Sequence, residues 1–144
     1  VIEPIDERTE ENVLIVTPPI GVSTEEAFAQ INANALTSTD RNRILSVCRP
    51  EARYFSTRRP AINNFEESVF NAHPEIRRVK KTLLELGAVN AAMSGSGASV
   101  FAIFDKQETR QTAIKALDHE STWRKFAVAT ISRDQYREAL SIKA

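Results

Sequence analysis

Two of the chain's four glycines fall in one short stretch, MSGSGASVFAIF, residues 93–104. Ser94, Gly95, Ser96, Gly97 and Ala98 form a run of small residues directly before an alternating apolar segment. Such a run supports two uses. Glycine accepts a positive φ and lets the backbone approach another group with no Cβ in the way. Successive N–H groups in a tight bend, joined by the hydroxyls of Ser94, Ser96 and Ser99, make a nest for an anion such as phosphate. The second use is a plain hairpin, in which the glycines serve backbone geometry alone. Context excludes two other phosphate loops. A P-loop carries Lys-Ser/Thr after its last glycine and runs into a helix, whereas ASVFAIF reads as a strand. A dinucleotide fingerprint needs a third glycine and a helix, and neither follows here.

Few other residues offer chemistry. Cys48 is the single cysteine, so no internal disulfide forms and a zinc site has a poor start; this fits a reducing compartment. His73 and His119 lie far apart, with no H-x-x-x-H pair. Lys plus Arg equals Asp plus Glu, at 19 each, which removes the electrostatic reason to expect nucleic acid or an anionic membrane. Arg77, Arg78, Lys80 and Lys81 read as a solvated helix face. Glu66 and Glu67 sit at a helix start, where negative charge is favourable. The 144 residues suffice for one domain with its own core, and 42% hydrophobic with 26% charged residues is ordinary globular composition. No apolar segment has the length of a membrane span. The acidic start VIEPIDERTEEN does not read as a signal peptide, and its opening valine suggests a processed or truncated product.

The elements that must position these residues follow from the pattern. Val13, Leu14, Ile15 and Val16 form a short buried strand, stopped by Pro18-Pro19. A helix follows, with Ser23 as N-cap and Glu26 three residues on as a capping box; Phe28 and Ile31 share one face of it. Residues 32–60 are the least regular part, with a modestly basic loop containing Arg49, Arg53, Arg58 and Arg59. Residues 63–88 read as two helices, the first over residues 64–71. Asn63 suits a cap for it. His73-Pro74 breaks it and places proline at the first position of the second. Ile76, Val79, Leu83 and Leu86 make a buried stripe, and Gly87 sits where a left-handed C-cap belongs. Residues 89–95 and 96–105 read as two strands joined by the small-residue bend. A helix with Ala113, Ile114 and Leu117 inward, a last strand anchored by Trp123, and a short closing helix complete the chain. This order predicts an α+β fold, a ferredoxin-like sandwich: a small, mainly antiparallel sheet with helices packed on one face.

On these residues a resemblance emerges. AAMSGSGASVFAIF, residues 91–104, resembles the third motif of the kinases that phosphorylate small alcohols, the galactokinase, homoserine kinase, mevalonate kinase and phosphomevalonate kinase superfamily. Within it, VLIVTPPIGVSTEEAF (residues 13–28) is similar to the strand–Pro–GVST–helix segment of the 4-diphosphocytidyl-2-C-methyl-D-erythritol kinases. NNFEESVFNAHPEIRRVKKTLLELGA (residues 63–88) is similar to their ND-hydrophobic-E helix and the HP-x-I segment after it. IEPI (residues 2–5) is similar to the end of their interdomain connection. The likeness covers nearly the whole chain, but only the second half of those enzymes.

The resemblance implies that residues 1–144 are a single carboxy-terminal, substrate-side domain. The other half would hold the ATP-wrapping loop, which reads GLGSS in the family and has no counterpart here, with the catalytic aspartate and lysine. It implies ATP and Mg²⁺ for the whole enzyme and none bound to this chain alone. The partners would be the cytidylyl methylerythritol substrate and the missing amino-terminal domain, with no nucleic acid and no membrane; an apolar face freed by its absence favours self-association. The setting would be a bacterial cytoplasm or a plastid stroma, and the pathway isoprenoid (terpenoid) biosynthesis. By position, Ser94, Gly95, Ser96, Gly97 and Ala98 would line the phosphate cleft, and Phe28 would stack on the cytosine; no residue of this chain would be catalytic or bind metal. The bland reading of Phe28 is a core phenylalanine. One position departs from the family: the usual ND pair reads Asn63-Asn64, an amide where a carboxylate stands. The alternative to a kinase half is a non-catalytic ferredoxin-like module for ligand binding or dimerisation.

Overall fold

Val13, Leu14, Ile15 and Val16 form the strand their pattern predicts, β1 (Val13–Thr17), and Pro18 ends it. The computed structural model describes residues 9–30 and 61–140; the expectations for residues 2–5 and 32–60, Cys48 included, and for Ile31 lie outside them. After β1 come α1 (Thr24–Gln30), α2 (Glu66–Ala72) and α3 (Pro74–Glu85). β2 (Asn90–Met93) and β3 (Val100–Ile103) form the hairpin around the bend. Then follow α4 (Gln107–Ala116), a 3₁₀ turn (Leu117–His119), β4 (Arg124–Val128) and α5 (Arg133–Leu140).

The sheet order is β2-β3-β1-β4, and every neighbouring pair is antiparallel. With helices joining β1 to β2 and β3 to β4, this is the ferredoxin-like arrangement. Leu14 pairs with Ala102, and Ala102 with Ala91; Val16 pairs with Val100, and Val100 with Met93. These six residues therefore share one face of the sheet, and all are buried. Against them pack Val69 and Phe70 of α2, Ile76, Val79 and Leu83 of α3, and Ala113 with Leu117 after it. The α+β sandwich with helices on one sheet face is thus the observed fold.

The second of these helices is the element that the sequence patterning specified most closely. Ile76, Val79 and Leu83 are fully buried. Its end is a Schellman motif: the N–H of Ala88 donates to Leu83 O and that of Gly87 to Leu84 O, both at 3.1 Å. Gly87 holds φ +94°, and a Cβ there would stand 3.0 Å from Thr109 Cγ2. α2 starts at Glu66, two residues later than predicted, because residues 64 and 65 form a turn closed by Glu66 N donating to Asn63 O at 3.0 Å.

The basic run of α3 is not a uniformly solvated face. Arg78 lies over the Trp123 ring, 4.4 Å from its centroid, and donates to both Glu75 and Glu120. Trp123 Nε1 donates to Glu75 Oε1 at 2.9 Å. These contacts fasten the first turn of α3 to the entry of β4, with the Trp123 ring buried beneath the guanidinium. Hydrogen bonds from Arg78 hold the carboxyls of Glu75 and Glu120 below the usual carboxylate range. Lys80 is also engaged, pairing with Glu66 at 2.6 Å.

Candidate functional site

The bend between β2 and β3 is closed by two backbone bonds: Ser94 N donates to Ser99 O at 2.8 Å, and Gly97 N to Ser94 O at 3.1 Å. Gly95 holds φ +56° and Gly97 φ +105°, values that L side chains rarely adopt. The two glycines serve different needs. Around Gly95 there is open space. At Gly97 a Cβ would stand 3.2 Å from Met93 Sδ and 3.3 Å from Val22 Cγ2, so this glycine also lets the bend close down on its neighbours. Ser94 and Gly95 are exposed, Ser96 and Gly97 half-buried, and Ala98 is buried. The bend is therefore an open lip with a packed base.

Among the described residues, no acceptor takes the N–H groups of Gly95, Ser96 or Ala98. Unbonded N–H groups at such a bend suit an anion nest and equally a hairpin tip that faces water. Its hydroxyls are tied sideways: Ser96 Oγ lies 3.0 Å from Thr24 Oγ1, and Ser99 Oγ 2.8 Å from Thr17 Oγ1.

Thr24 opens α1, where Ser23 Oγ accepts from Glu26 N at 3.3 Å as the capping pattern anticipated. Phe28 stands four residues after Thr24, on the same side of that helix. Phe28 is 62% exposed, so it is not a core residue. It meets the Phe65 ring at 4.8 Å between centroids and 85° between planes. The structure thus brings Phe28 and the bend onto adjoining elements, joined through Thr24 and Ser96.

Four residues at this site had no assigned part in the sequence reading: Asn63 beyond its capping role, Glu66 beyond its helix-start charge, Thr24 and Phe65. The Asn63 carboxamide donates to Met93 O at 2.7 Å and Gly95 O at 2.8 Å, and accepts from Phe65 N at 2.9 Å. Glu66 Oε1 accepts from Met93 N at 2.8 Å. Asn64, where the family's acidic residue stands, is exposed. The close placing of Asn63 and Glu66 in NNFEE was the available signal, but their partners lie some thirty residues away. No group of three or more His, Cys, Asp or Glu able to hold a metal occurs among the described residues.

Fold and site together describe a ferredoxin-like α+β domain with a small-residue bend, its Gly95 and Ser96 N–H groups unbonded among the described residues, beside an exposed aromatic ring. Residues 51–121 match the family described as GHMP kinases C terminal. A domain of that family thus occupies residues 51–121. It is 41% identical over 105 residues to a protein of Parabacteroides distasonis named 4-diphosphocytidyl-2-C-methyl-D-erythritol kinase, a match covering 72% of this chain and 36% of that one. A protein of the same name from Solidesulfovibrio magneticus is 37% identical over 107 residues, covering 72% and 36%. The chain thus spans about a third of the length of these relatives. Two crystal structures share its fold. A 4-(cytidine 5′-diphospho)-2C-methyl-D-erythritol kinase superposes with a TM-score of 0.62 at 20% identity, over 88% of this chain and 45% of that one. L. major mevalonate kinase in complex with R-mevalonate gives 0.58 at 15% identity, over 92% and 46%.

Proposed function

We propose that this chain is the carboxy-terminal, substrate-side domain of an ATP-dependent kinase of small alcohols, and that the whole protein transfers the γ-phosphoryl group of ATP to the 2-hydroxyl of 4-diphosphocytidyl-2-C-methyl-D-erythritol, a step of isoprenoid biosynthesis. The observation that carries the reading is the pairing of free backbone donors in the bend with the exposed Phe28 ring on the helix beside it. The names of the relatives at 41% and 37% identity support the choice of substrate. Fold alone does not decide function.

In this reading each part has a plain physical task. The N–H groups of Gly95 and Ser96 and the exposed Ser94 hydroxyl present neutral donors to phosphate oxygens. Phosphoryl transfer rests on positioning and on spreading charge over such fixed donors. The Phe28 ring offers a flat apolar surface to the cytosine, a contact worth about 1–3 kcal/mol. The bend suits the phosphates of ATP or substrate as a set of neutral donors. Mg²⁺ has no fitting ligand set among the described residues, so no residue here is assigned to it. The remaining cleft wall, with the catalytic residues, belongs to the part of the kinase beyond this chain.

The test is turnover. The full-length protein should consume ATP with the cytidylyl methylerythritol and not with mevalonate or homoserine. The 144-residue chain alone should show no turnover above a no-enzyme control. Absence of phosphoryl transfer by the full-length protein would return the chain to the class of non-catalytic ferredoxin-like modules.

A further inference from the structure

The bend is held from beneath by a short segment of a different element, and that hold has a definite chemistry. Asn63 reaches the two carbonyls that flank Ser94, those of Met93 and Gly95, with one NH₂ group. Its oxygen is engaged at the same time by the N–H of Phe65. The carboxamide is thus fixed in one orientation, since only its nitrogen has protons to give. Three residues on, Glu66 accepts the N–H of Met93, the last residue of β2, while its second oxygen pairs with Lys80 of α3. Both Glu66 and Lys80 side chains are mostly shielded, at 15% and 22% exposure, so this pair is fixed more firmly than an exposed one.

We infer that Asn63 and Glu66 are the positioning residues of the bend, holding its carbonyls and entry strand so that the N–H groups of Gly95 and Ser96 stay free for phosphate. The inference rests on the phosphate-facing reading of the bend given above. Gly95 has open space around it and its missing side chain leaves the backbone loose, so the exposed lip of the bend, unlike its packed base, lacks the side-chain packing that would fix one shape. A donor amide is required at position 63: an aspartate of the same shape keeps the bond from Phe65 N but turns two attractive contacts with carbonyl oxygens into repulsive ones. At position 66 an acceptor is required and a charge is not. The same segment places Phe65 against Phe28, so one turn sets both the bend and the aromatic wall.

The test uses full-length protein carrying Asn63→Ala, Asn63→Asp, Glu66→Ala or Glu66→Gln, with Lys80→Met as the variant that removes only the ion pair. Two readouts are taken: amide hydrogen exchange at Ser94 and Gly97, whose N–H groups bond to neither residue, and kcat with KM for both substrates. Both Asn63 variants and Glu66→Ala should raise exchange at Ser94 and Gly97 at least tenfold, leave exchange in α3 unchanged, and lower kcat at least tenfold with KM changed less than threefold. Lys80→Met should stay within threefold of the parent in kcat, because the acceptor for Met93 N remains, and Glu66→Gln should restore most of the exchange protection that Glu66→Ala loses. Unchanged exchange in Asn63→Ala and Glu66→Ala overturns the inference whatever the activity. Faster exchange with unchanged kcat upholds the hold on the bend and overturns its assignment to phosphate.

Discussion

The Phe28 and Phe65 rings meet almost perpendicularly, 4.8 Å apart, with Phe28 exposed and Phe65 half-buried. An edge-to-face pair of this kind adds about 0.5–1.5 kcal/mol beyond buried area. Phe65 therefore restrains a ring that would otherwise swing freely on a short helix. A ring already held in place loses less freedom on meeting a flat ligand. Phe65→Ala in the full-length protein should raise the KM for the cytidylyl substrate about two- to twelvefold, converting that energy at 1.4 kcal/mol per decade, and leave the KM for ATP unchanged. Steady-state kinetics with each substrate varied in turn checks it.

The two glycines of the bend should respond differently. Gly97→Ala meets both a positive φ and close contacts with Met93 and Val22; Gly95→Ala meets only the φ. The left-handed backbone alone costs an L residue about 1–2 kcal/mol. Gly95→Ala should therefore destabilise by about that amount, and Gly97→Ala by distinctly more. Urea denaturation of the two variants measures the order, and equal losses would contradict the packed-base description of the bend.

The core of α3 makes a plainer demand. Leu83 is fully buried between this helix and the sheet, and trimming it to alanine leaves a cavity. Leu83→Ala should cost about 2–5 kcal/mol, read as a fall in denaturation midpoint at unchanged slope.

Acid should loosen the join between α3 and β4. The Glu75 and Glu120 carboxyls are held below their ordinary range by hydrogen bonds from Arg78. A carboxyl with a lowered folded pKa adds stability above its unfolded pKa and loses it as pH falls through the folded value. Stability of the parent protein should accordingly decline as pH drops below the ordinary carboxylate range. Arg78→Met should flatten that part of the profile while lowering stability near neutral pH. Denaturant titrations from pH 7 to 3 on both proteins supply the comparison, and parallel profiles would show that Arg78 is not the cause.

What the sequence made legible were features with local causes. The strand VLIV ends where two prolines follow it. The spacing of Ile76, Val79 and Leu83, with Gly87 beyond, marks a helix and its cap without any distant partner. The small-residue bend is visible because glycine is scarce elsewhere. The features that escaped depend on residues remote in sequence. Asn63 and Glu66 meet β2 and the bend only once the sheet has formed, and nothing in NNFEE alone separates a helix start from a tether. Arg78 looked solvated because Trp123 and Glu120 lie more than forty positions away. For Phe28 the helix pattern left a core reading open beside the stacking role that the resemblance implied; the seven-residue helix that carries it turns Ala27 inward and leaves Phe28 exposed.

The central claim is that the exposed ring on α1 and the free donors of the bend form one wall of a kinase cleft with separate duties. The direct measurement is the binding of cytidylyl methylerythritol and of ATP, each by calorimetry, to the full-length protein and its Phe28→Ala variant. At about 1–3 kcal/mol for base stacking, the variant should bind the cytidylyl compound roughly five- to 150-fold more weakly and ATP as before. Equal weakening for both ligands, or none for either, would contradict the account.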